Sequence, residues 1–497
     1  METTWLYTFL SLLILLIAFK FSTKPKRKLP PSPFPTLPLI GHLHFLKFPI
    51  HRTFQKLSDK LGPIFSLRLG NRLMVVVSSP TIVEECFTKN DVVLAGRPRL
   101  IIGKYIGYNY TTMFDSPYGD YWRNLRRLTT VEFFSMARLN TFQSIRQDDI
   151  KLILKKIYKN SYENFARVEL RSLFSEVTFN NIMRMVDGKR YVREDEDDNE
   201  AKGFWDLIKE VLTYGGASHL ADFFPVVRWI DYKGFEKNLA RLSGKMDARL
   251  QRLIDEQRRN KGKTNTMIDH MLSLQESEPE YYTDVTIKGI ILVMLIAGID
   301  TSANTIEWAM SALLNHPEKL QKAKIEIDNL VGNDRLVNES DLTKLPYLQN
   351  IMSETFRLFP AAPLLLPHEA TSDCTLSGYD IPRGTILIVN AWAIHRDPKI
   401  WDDPTSFNPE RFEAGEVGPP KLIPFGMGRR LCPGMGLAYR VVGLALGSLI
   451  QCFEWQRVGE GLVDLTEGKG VTLPKVVPIE AMCKARNVLR KVLLEAN

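Results

Sequence analysis

One large, mainly α domain with a small β region, held behind an amino-terminal membrane anchor, is the architecture predicted by this 497-residue sequence. Three observations predict it. Helical patterns dominate the middle of the chain, as at Asp148–Tyr158 and Lys245–Arg259, whereas strand-like alternation is short and clustered at Ile64–Leu69, Leu73–Val77 and Ile386–Val389. From Leu39 onward no Gly/Ser linker, low-complexity tract or internal repeat interrupts the chain. Residues 39–497 therefore read as one body, not as the three domains that length alone suggests at ~150 residues each. Finally, an uncharged apolar run, Trp5–Phe19, stands ahead of that body.

Hydrophobic residues make up 44% and charged residues 25%, close to an average folded protein, which excludes a disordered, collagen-like or polytopic membrane chain. A body this long buries a large core without disulfide staples. Its five cysteines, Cys86, Cys374, Cys432, Cys452 and Cys483, form no C-x-x-C pair. An odd, scattered set argues for a reducing compartment and against a secreted disulfide framework or a structural zinc site. The net charge is +8, and half of it comes from residues 1–28, where Lys20, Lys24, Lys26, Arg27 and Lys28 outweigh Glu2. The remainder is too dispersed for an electrostatic footprint, so nucleic acid is excluded as a partner.

With Phe21 included, the apolar run reaches the lower edge of the ~17–25 residues that a spanning helix needs. Basic residues follow it and no A-x-A-like cleavage site is present, which favours an uncleaved anchor, residues 1–23, over a signal peptide. The positive-inside rule puts Lys24–Lys28, and the body behind them, on the cytosolic side of a single-pass anchor. Residues 24–38 are basic and then proline-rich (Leu29–Pro38). They read as a stiff hinge, because proline at that density blocks helix continuation. The acidic run Glu194–Glu200 reads as a solvated loop.

The chemistry-bearing stretches lie in the second half. In Ala297-Gly-Ile-Asp-Thr-Ser302, polar residues interrupt an apolar helix that begins near Thr283 and Asp284. Gly289–Ile299 is too short to cross a membrane, so this is a buried helix, and Asp300 and Thr301 at its end are costly without a polar task. A threonine hydroxyl there can bond a carbonyl one turn back and open the helix, and Gly298 leaves room for a small ligand. Glu354 and Arg357 stand at i and i+3, Trp122 and Arg126 at i and i+4, so each pair shares a helix face. In Phe425-Gly-Met-Gly-Arg-Arg-Leu-Cys-Pro-Gly434, a glycine-rich loop delivers Cys432 to the mouth of an apolar helix, Leu437 to about Phe453. Pro433 suits the first turn of that helix. Orphan N–H groups and the helix dipole there favour thiolate over thiol. Such a thiolate can be a nucleophile, although no Cys–His pairing accompanies it, or a ligand of haem iron.

Phe425, Gly428, Arg430, Cys432 and Gly434 match F-x-x-G-x-R-x-C-x-G, and on these residues the chain resembles the cytochrome P-450 superfamily of haem-thiolate monooxygenases. His51–Phe54, Phe87–Asp91, Thr178–Asn181 and Ala391–Asp397 resemble, more narrowly, a plant microsomal family containing isoflavone hydroxylases and lignan-modifying enzymes. The resemblance implies haem b with Cys432 as axial iron ligand, in a loop shaped by Phe425, Gly428 and Gly434. It implies Trp122, Arg126, Arg430 and His368 as donors to the haem propionates, and Asp300 and Thr301 as the proton relay for O2 activation. Glu354, Arg357 and Arg411 would form a structural clamp behind the haem loop.

By the same resemblance, one oxygen atom of O2 enters an apolar plant metabolite of flavonoid, isoflavonoid, lignan or terpenoid type. Its pocket would be walled by Arg99–Phe114, Leu207–Phe224, Met294–Ala303, Ala362–Leu366 and Val471–Leu473. Electrons would come from NADPH through a membrane-bound flavoprotein reductase, since the chain has no G-x-G-x-x-G fingerprint of its own. Arg123, Arg127 and Arg429 are cations that such a partner would meet. The anchor would lie in the endoplasmic reticulum membrane, in contact with lipid, with the body facing the cytosol. Two alternatives keep the haem: an O2-independent isomerase or dehydratase, which would run without NADPH, and a non-enzymatic haem-binding sensor, which has no use for the Asp300-Thr301 pair.

Overall fold

Where apolar residues recur at helical spacing the chain is helical, and short β-branched runs form the strands. The structure is a computed structural model and describes residues 27–191, 199–215, 220–224, 231, 234–260, 265–415 and 417–494. The expected anchor and most of the acidic run lie outside these residues. Glu200 belongs to the helix Asn199–Gly215, which corrects the loop reading at that end.

Eight helices frame the site: α1 Asp120–Leu128, α2 Gln143–Ser161, α3 Arg171–Val186, α4 Phe235–Arg259, α5 Asp284–Gly298, α6 Asp300–Asn315, α7 Pro346–Leu358 and α8 Met435–Cys452. The predicted helical stretches lie inside α2 and α4. The described strands are β1 Ile64–Leu69, β2 Arg72–Val77, β3 Ala166–Glu169, β4 His368–Glu369, β5 Cys374–Leu376, β6 Tyr379–Ile381, β7 Ile386–Val389, β8 Phe453–Arg457 and β9 Glu480–Ala485. They form a four-stranded sheet in the order β1-β2-β7-β4, a three-stranded sheet β3-β9-β8 and the hairpin β5-β6. In the first sheet β2 runs parallel to β7, with Met74 opposite Ile386, and β4 adds antiparallel with His368 opposite Leu387. That pairing carries His368 to the sheet edge. The β1–β2 turn needs Gly70: its φ is +57°, and a Cβ there would stand 2.4 Å from Phe223 O.

The apolarity of the central helices is met by protein. The stretches Asp284–Asn315 and Met435–Cys452 are long and apolar enough to cross a membrane, yet 67% and 72% of their apolar windows are buried inside the domain. Helix α6 packs on α3, α7 and α8. Within that core Trp308 stacks on Phe359 with ring centroids 4.2 Å apart. Burial of such a side chain stabilises by about 1.5–3 kcal/mol. The proline-rich stretch is less of a free spacer than its composition predicts. Lys28 N donates to Asp380 Oδ2, Ser66 donates to Pro30 O and Pro31 O, and Pro30 and Pro33 are buried. From Lys28 onward this stretch is held against the body, in part because β1 offers donors that the extended chain accepts.

Candidate active site around Cys432

The loop ahead of α8 is built from glycine geometry. Gly426 and Gly428 have φ of +76° and +70°, and a Cβ on Gly428 would stand 2.5 Å from Asp91 Oδ1. Asp91 in turn accepts from Arg429 N at 3.1 and 3.2 Å, and Cys432 N donates to Phe425 O at 2.9 Å. The Phe425 ring sits edge-on to Phe356 of α7 at 5.1 Å. Helix α8 starts at Met435 with Gly434 as its N-cap, so Pro433 lies just ahead of the first turn and not within it. The Cys432 sulfur accepts from the N–H groups of Gly434 and Met435.

Cys432 is exposed by surface area although it is densely surrounded by protein atoms. Both hold if the thiol faces an internal space and not bulk solvent. Burial pushes its thiol above the ordinary cysteine range, outweighing the pull of the two N–H groups and of Arg126. The sequence expectation that the helix mouth alone favours thiolate is thereby corrected. Desolvation is the larger effect, and deprotonation needs a cation on the sulfur.

Around that space gather three guanidinium groups. Arg430 donates to Ala95 O, Met113 O and Ser116 O at 2.9, 3.1 and 2.6 Å and lies 4.3 Å over the Trp122 ring. Arg126 donates through Nη1 to Leu431 O at 2.5 Å. Arg97 donates to Phe114 O, Leu366 O and Pro367 O at 3.2, 3.1 and 2.5 Å. Burial, with Arg97 and Arg126 repelling it, lowers Arg430 to about 9. Burial lowers Arg97 to about 10, with Asp115 opposing. Asp115 is the carboxylate among them, itself pushed up by burial. A buried set of cations this short of negative charge fits an anionic ligand with more than one carboxylate.

Two expected propionate donors look different in place. The Trp122 N–H already donates to Met113 O at 3.1 Å, which leaves the N–H groups of Arg126 other than the one on Leu431 O as that pair's donors to a ligand. His368 Nδ1 lies 2.7 Å from Leu94 O. A carbonyl only accepts, so Nδ1 carries the proton. Burial and Arg97 hold the ring well below the usual histidine range. Its Nε2 thus presents a lone pair, and it serves a carboxylate only after taking up a proton that the anion itself would favour.

Helices α5 and α6 meet at a break. Thr283 caps α5 by accepting from Thr286 N, the helix ends at Gly298, and α6 resumes at Asp300. Thr301 Oγ1 donates to Ala297 O at 2.6 Å, the back-bond its position predicts. Ile296, Ala297, Gly298, Asp300 and Thr301 are partly accessible in a pair of helices otherwise almost wholly buried. Gly298 does not make that room: a Cβ there would stand 2.7 Å from Ile182 Cδ1, so its missing side chain admits α3. Asp300 Oδ2 accepts from Thr472 Oγ1 at 2.5 Å and Asn304 Nδ2 at 3.1 Å.

Behind the loop the structure brings Glu354, Arg357 and Arg411 together. Glu354 and Arg357 are fully buried and joined by two hydrogen bonds of 2.7 and 2.8 Å. Arg411 Nε reaches Glu354 Oε1 at 3.1 Å, as does Asn408 N at 2.8 Å. Arg357 also donates to His395 O, Pro404 O and Ser406 O.

Haem fits these residues. One thiol faces an enclosed space, guanidinium groups short of counter-charge sit near it, and among the described residues no cluster of three or more His, Cys, Asp or Glu competes as a metal site. Sequence reasoning missed Arg97, and it placed Thr472 in a pocket wall without its bond to Asp300. Neither carries a local signal, since each acts on residues far away along the chain.

Comparison with known proteins gives the family. The family model described as cytochrome P-450 matches residues 30–478. Cytochrome P-450 81Q32 of Catharanthus roseus is 60% identical over 100% of both chains. The (+)-piperitol/(+)-sesamin synthase of Sesamum radiatum is 56% identical over 95% of this chain and 93% of its own. Isoflavone 2'-hydroxylase of Glycyrrhiza echinata is 54% identical over 94% of each. A zebrafish cytochrome P-450 solved with progesterone superposes with a TM-score of 0.78 at 27% identity, covering 88% of this chain and 100% of that one. Matched by the family model over residues 30–478 and by relatives over nearly its whole length, the chain belongs to the cytochrome P-450 family of haem-thiolate monooxygenases.

Proposed function

We propose that this enzyme inserts one oxygen atom of O2 into an apolar, ring-bearing plant metabolite, and that Cys432 is the residue whose sulfur would hold its haem iron. The observation that carries the reading is the Cys432 thiol, enclosed yet accessible, with two N–H groups on its sulfur. Bound haem supplies the redox chemistry of O–O cleavage. The chain does the rest. Arg97, Arg126 and Arg430 would hold the propionates, and His368 would join them once protonated. Phe425, Gly428 and Gly434 shape the loop, and Glu354, Arg357 and Arg411 keep it in place. Thr301 keeps the helix open at Ile299, and Asp300 takes protons from water and passes them inward. The relatives named for isoflavone hydroxylation and for (+)-piperitol and (+)-sesamin synthesis support an isoflavonoid- or lignan-like substrate.

Electrons reach the site from NADPH through a membrane-bound flavoprotein reductase. Of the cations expected to meet it, Arg123 pairs with Asp120 and Arg429 lies 3.6 Å from Asp91. Arg127, whose bond is to the neutral Asn124, keeps its charge for a partner. The apolar run Trp5–Phe19 and the basic residues after it support a single-pass anchor in the endoplasmic reticulum membrane with the body in the cytosol.

The test is Cys432→Ala in the full chain. It abolishes the carbon-monoxide difference band of reduced haem-thiolate iron and, with it, NADPH-dependent incorporation of labelled O2 into product. A variant that kept the band would overturn the assignment. Product formed without NADPH would favour the isomerase alternative instead.

A further inference from the structure

The segment between β8 and β9 is fastened along one face of α6. Asn315 exchanges two hydrogen bonds with Val463, at 3.0 and 2.8 Å. Lys475 Nζ donates to Ser311 Oγ at 2.9 Å. Trp308 Nε1 donates to Leu473 O at 2.6 Å, and Ile479 N to Glu307 Oε1 at 2.9 Å. Residues 300, 307, 308, 311 and 315 fall on one side of the helix at its ~3.6-residue turn, so these contacts form a stripe along it. The stripe ends at the helix break, where Thr472 Oγ1 donates to Asp300 Oδ2 at 2.5 Å. That length belongs to a charge-assisted O–H···O bond, about twice as strong as a neutral one.

Further anchors hold the same loop. Glu467 accepts from His51, Arg52 and Trp392 at 2.9, 2.6 and 2.9 Å, and Leu473 N donates to Ala361 O at 3.0 Å. Thr472 therefore has little freedom to follow Asp300 if the carboxylate turns. Asn304 and Thr472 both bond Oδ2, and no described residue bonds Oδ1.

We propose that Thr472 is a positioning residue for Asp300: a hydroxyl presented by a loop locked onto α6 holds Oδ2 and leaves Oδ1 as the oxygen that gains and loses the proton. This rests on the reading of Asp300 as the proton-delivering group. Without the Thr472 hydroxyl the carboxylate can rotate about its side-chain bonds, and proton delivery no longer keeps pace with electron supply.

The experiment uses the full-length holoenzyme with its reductase, NADPH and an isoflavone or lignan that the wild type turns over. It compares Thr472→Val, Thr472→Ser, Asp300→Asn and Asn315→Ala. Thr472→Val, of nearly the same volume, is expected to raise the hydrogen peroxide released per product by roughly tenfold, the scale of one hydrogen bond to a charged group. Thr472→Ser restores coupling, and Thr472→Val adds nothing in an Asp300→Asn background. Asn315→Ala unfastens the far end of the stripe without touching Asp300 and leaves coupling at the wild-type level. A second readout is amide exchange in residues 470–473, which rises in Asp300→Ala as it does in Thr472→Val. Wild-type coupling in Thr472→Val alongside an uncoupled Asp300→Asn overturns the inference and spares the reading of Asp300. Wild-type coupling in Asp300→Asn overturns that reading itself. Equal uncoupling in Thr472→Val and Asn315→Ala means that loop stability alone is at work and also overturns the inference, as does unchanged exchange in Asp300→Ala.

Discussion

Removing the carboxylate of Glu354 is the perturbation whose cost the structure defines most closely. In Glu354→Leu, Arg357 keeps its carbonyl partners at His395, Pro404 and Ser406 but loses both bonds to the carboxylate and its counter-charge. Arg411 loses its Nε partner, and Asn408 N loses an acceptor at 2.8 Å. Breaking a buried pair from one side costs about 3–5 kcal/mol, because the remaining charge stays buried. The unmet N–H adds about 1–3 kcal/mol. Against a total stability of about 5–15 kcal/mol, this removes a large share. The assay is a urea series on holoenzyme that follows the carbon-monoxide band of thiolate-ligated haem. With a slope near 3 kcal/mol/M, the midpoint falls by about 1 M or more. Glu354→Leu/Arg357→Met removes both members of the pair at once and recovers part of the loss, since a buried ion pair replaced by apolar residues is often neutral. An unshifted midpoint in Glu354→Leu, or a double variant no better than the single one, refutes this account.

Other outcomes follow from single residues. Arg97→Leu removes a buried cation bonded to Phe114 O, Leu366 O and Pro367 O. It speeds haem transfer to apomyoglobin by about tenfold or more, the scale of a charge-assisted bond, and an unchanged transfer rate removes Arg97 from the haem site. Lys475 is lowered from 10.5 to about 8, mainly by burial, with Glu307 and Asp464 opposing. Between those two pH values the unfolded chain holds more protons than the folded one, so stability linked to this group rises with pH. It is fully present above 10.5 and is lost as pH falls through 8. Protease resistance of the wild type relative to Lys475→Met therefore improves from pH 8 to pH 10, and a constant difference refutes the shift. For topology, Asn109-Tyr-Thr111 and Asn338-Glu-Ser340 are glycosylation acceptor patterns. Asn109 is exposed, whereas Asn338 caps a short helix with its side chain, so Asn109 is the reporter. It carries no sugar in microsomes if the body is cytosolic, and an endoglycosidase-sensitive band shift places the body in the lumen.

The haem-loop motif is legible in the amino-acid sequence because its chemistry is local. Phe425 to Gly434 are ten consecutive residues, and the turn-forming glycines, the cysteine and the following helix can be read there, although the approach of Asp91 that also requires Gly428 cannot. The helical stretches and the strands Ile64–Leu69 and Ile386–Val389 are legible for the same reason, since periodicity is a property of consecutive residues. The i, i+3 pairing of Glu354 and Arg357 is too, though not the burial that makes it expensive to break. What tertiary structure decides are the effects that depend on distance in space. Arg126 meets Leu431 across 305 positions and Thr472 meets Asp300 across 172, and no local pattern encodes either contact. The ordering of effects at Cys432 is decided there as well. A helix mouth favours thiolate wherever it occurs, but desolvation grows with everything packed around the sulfur, and that enclosure exists only once the whole chain has folded.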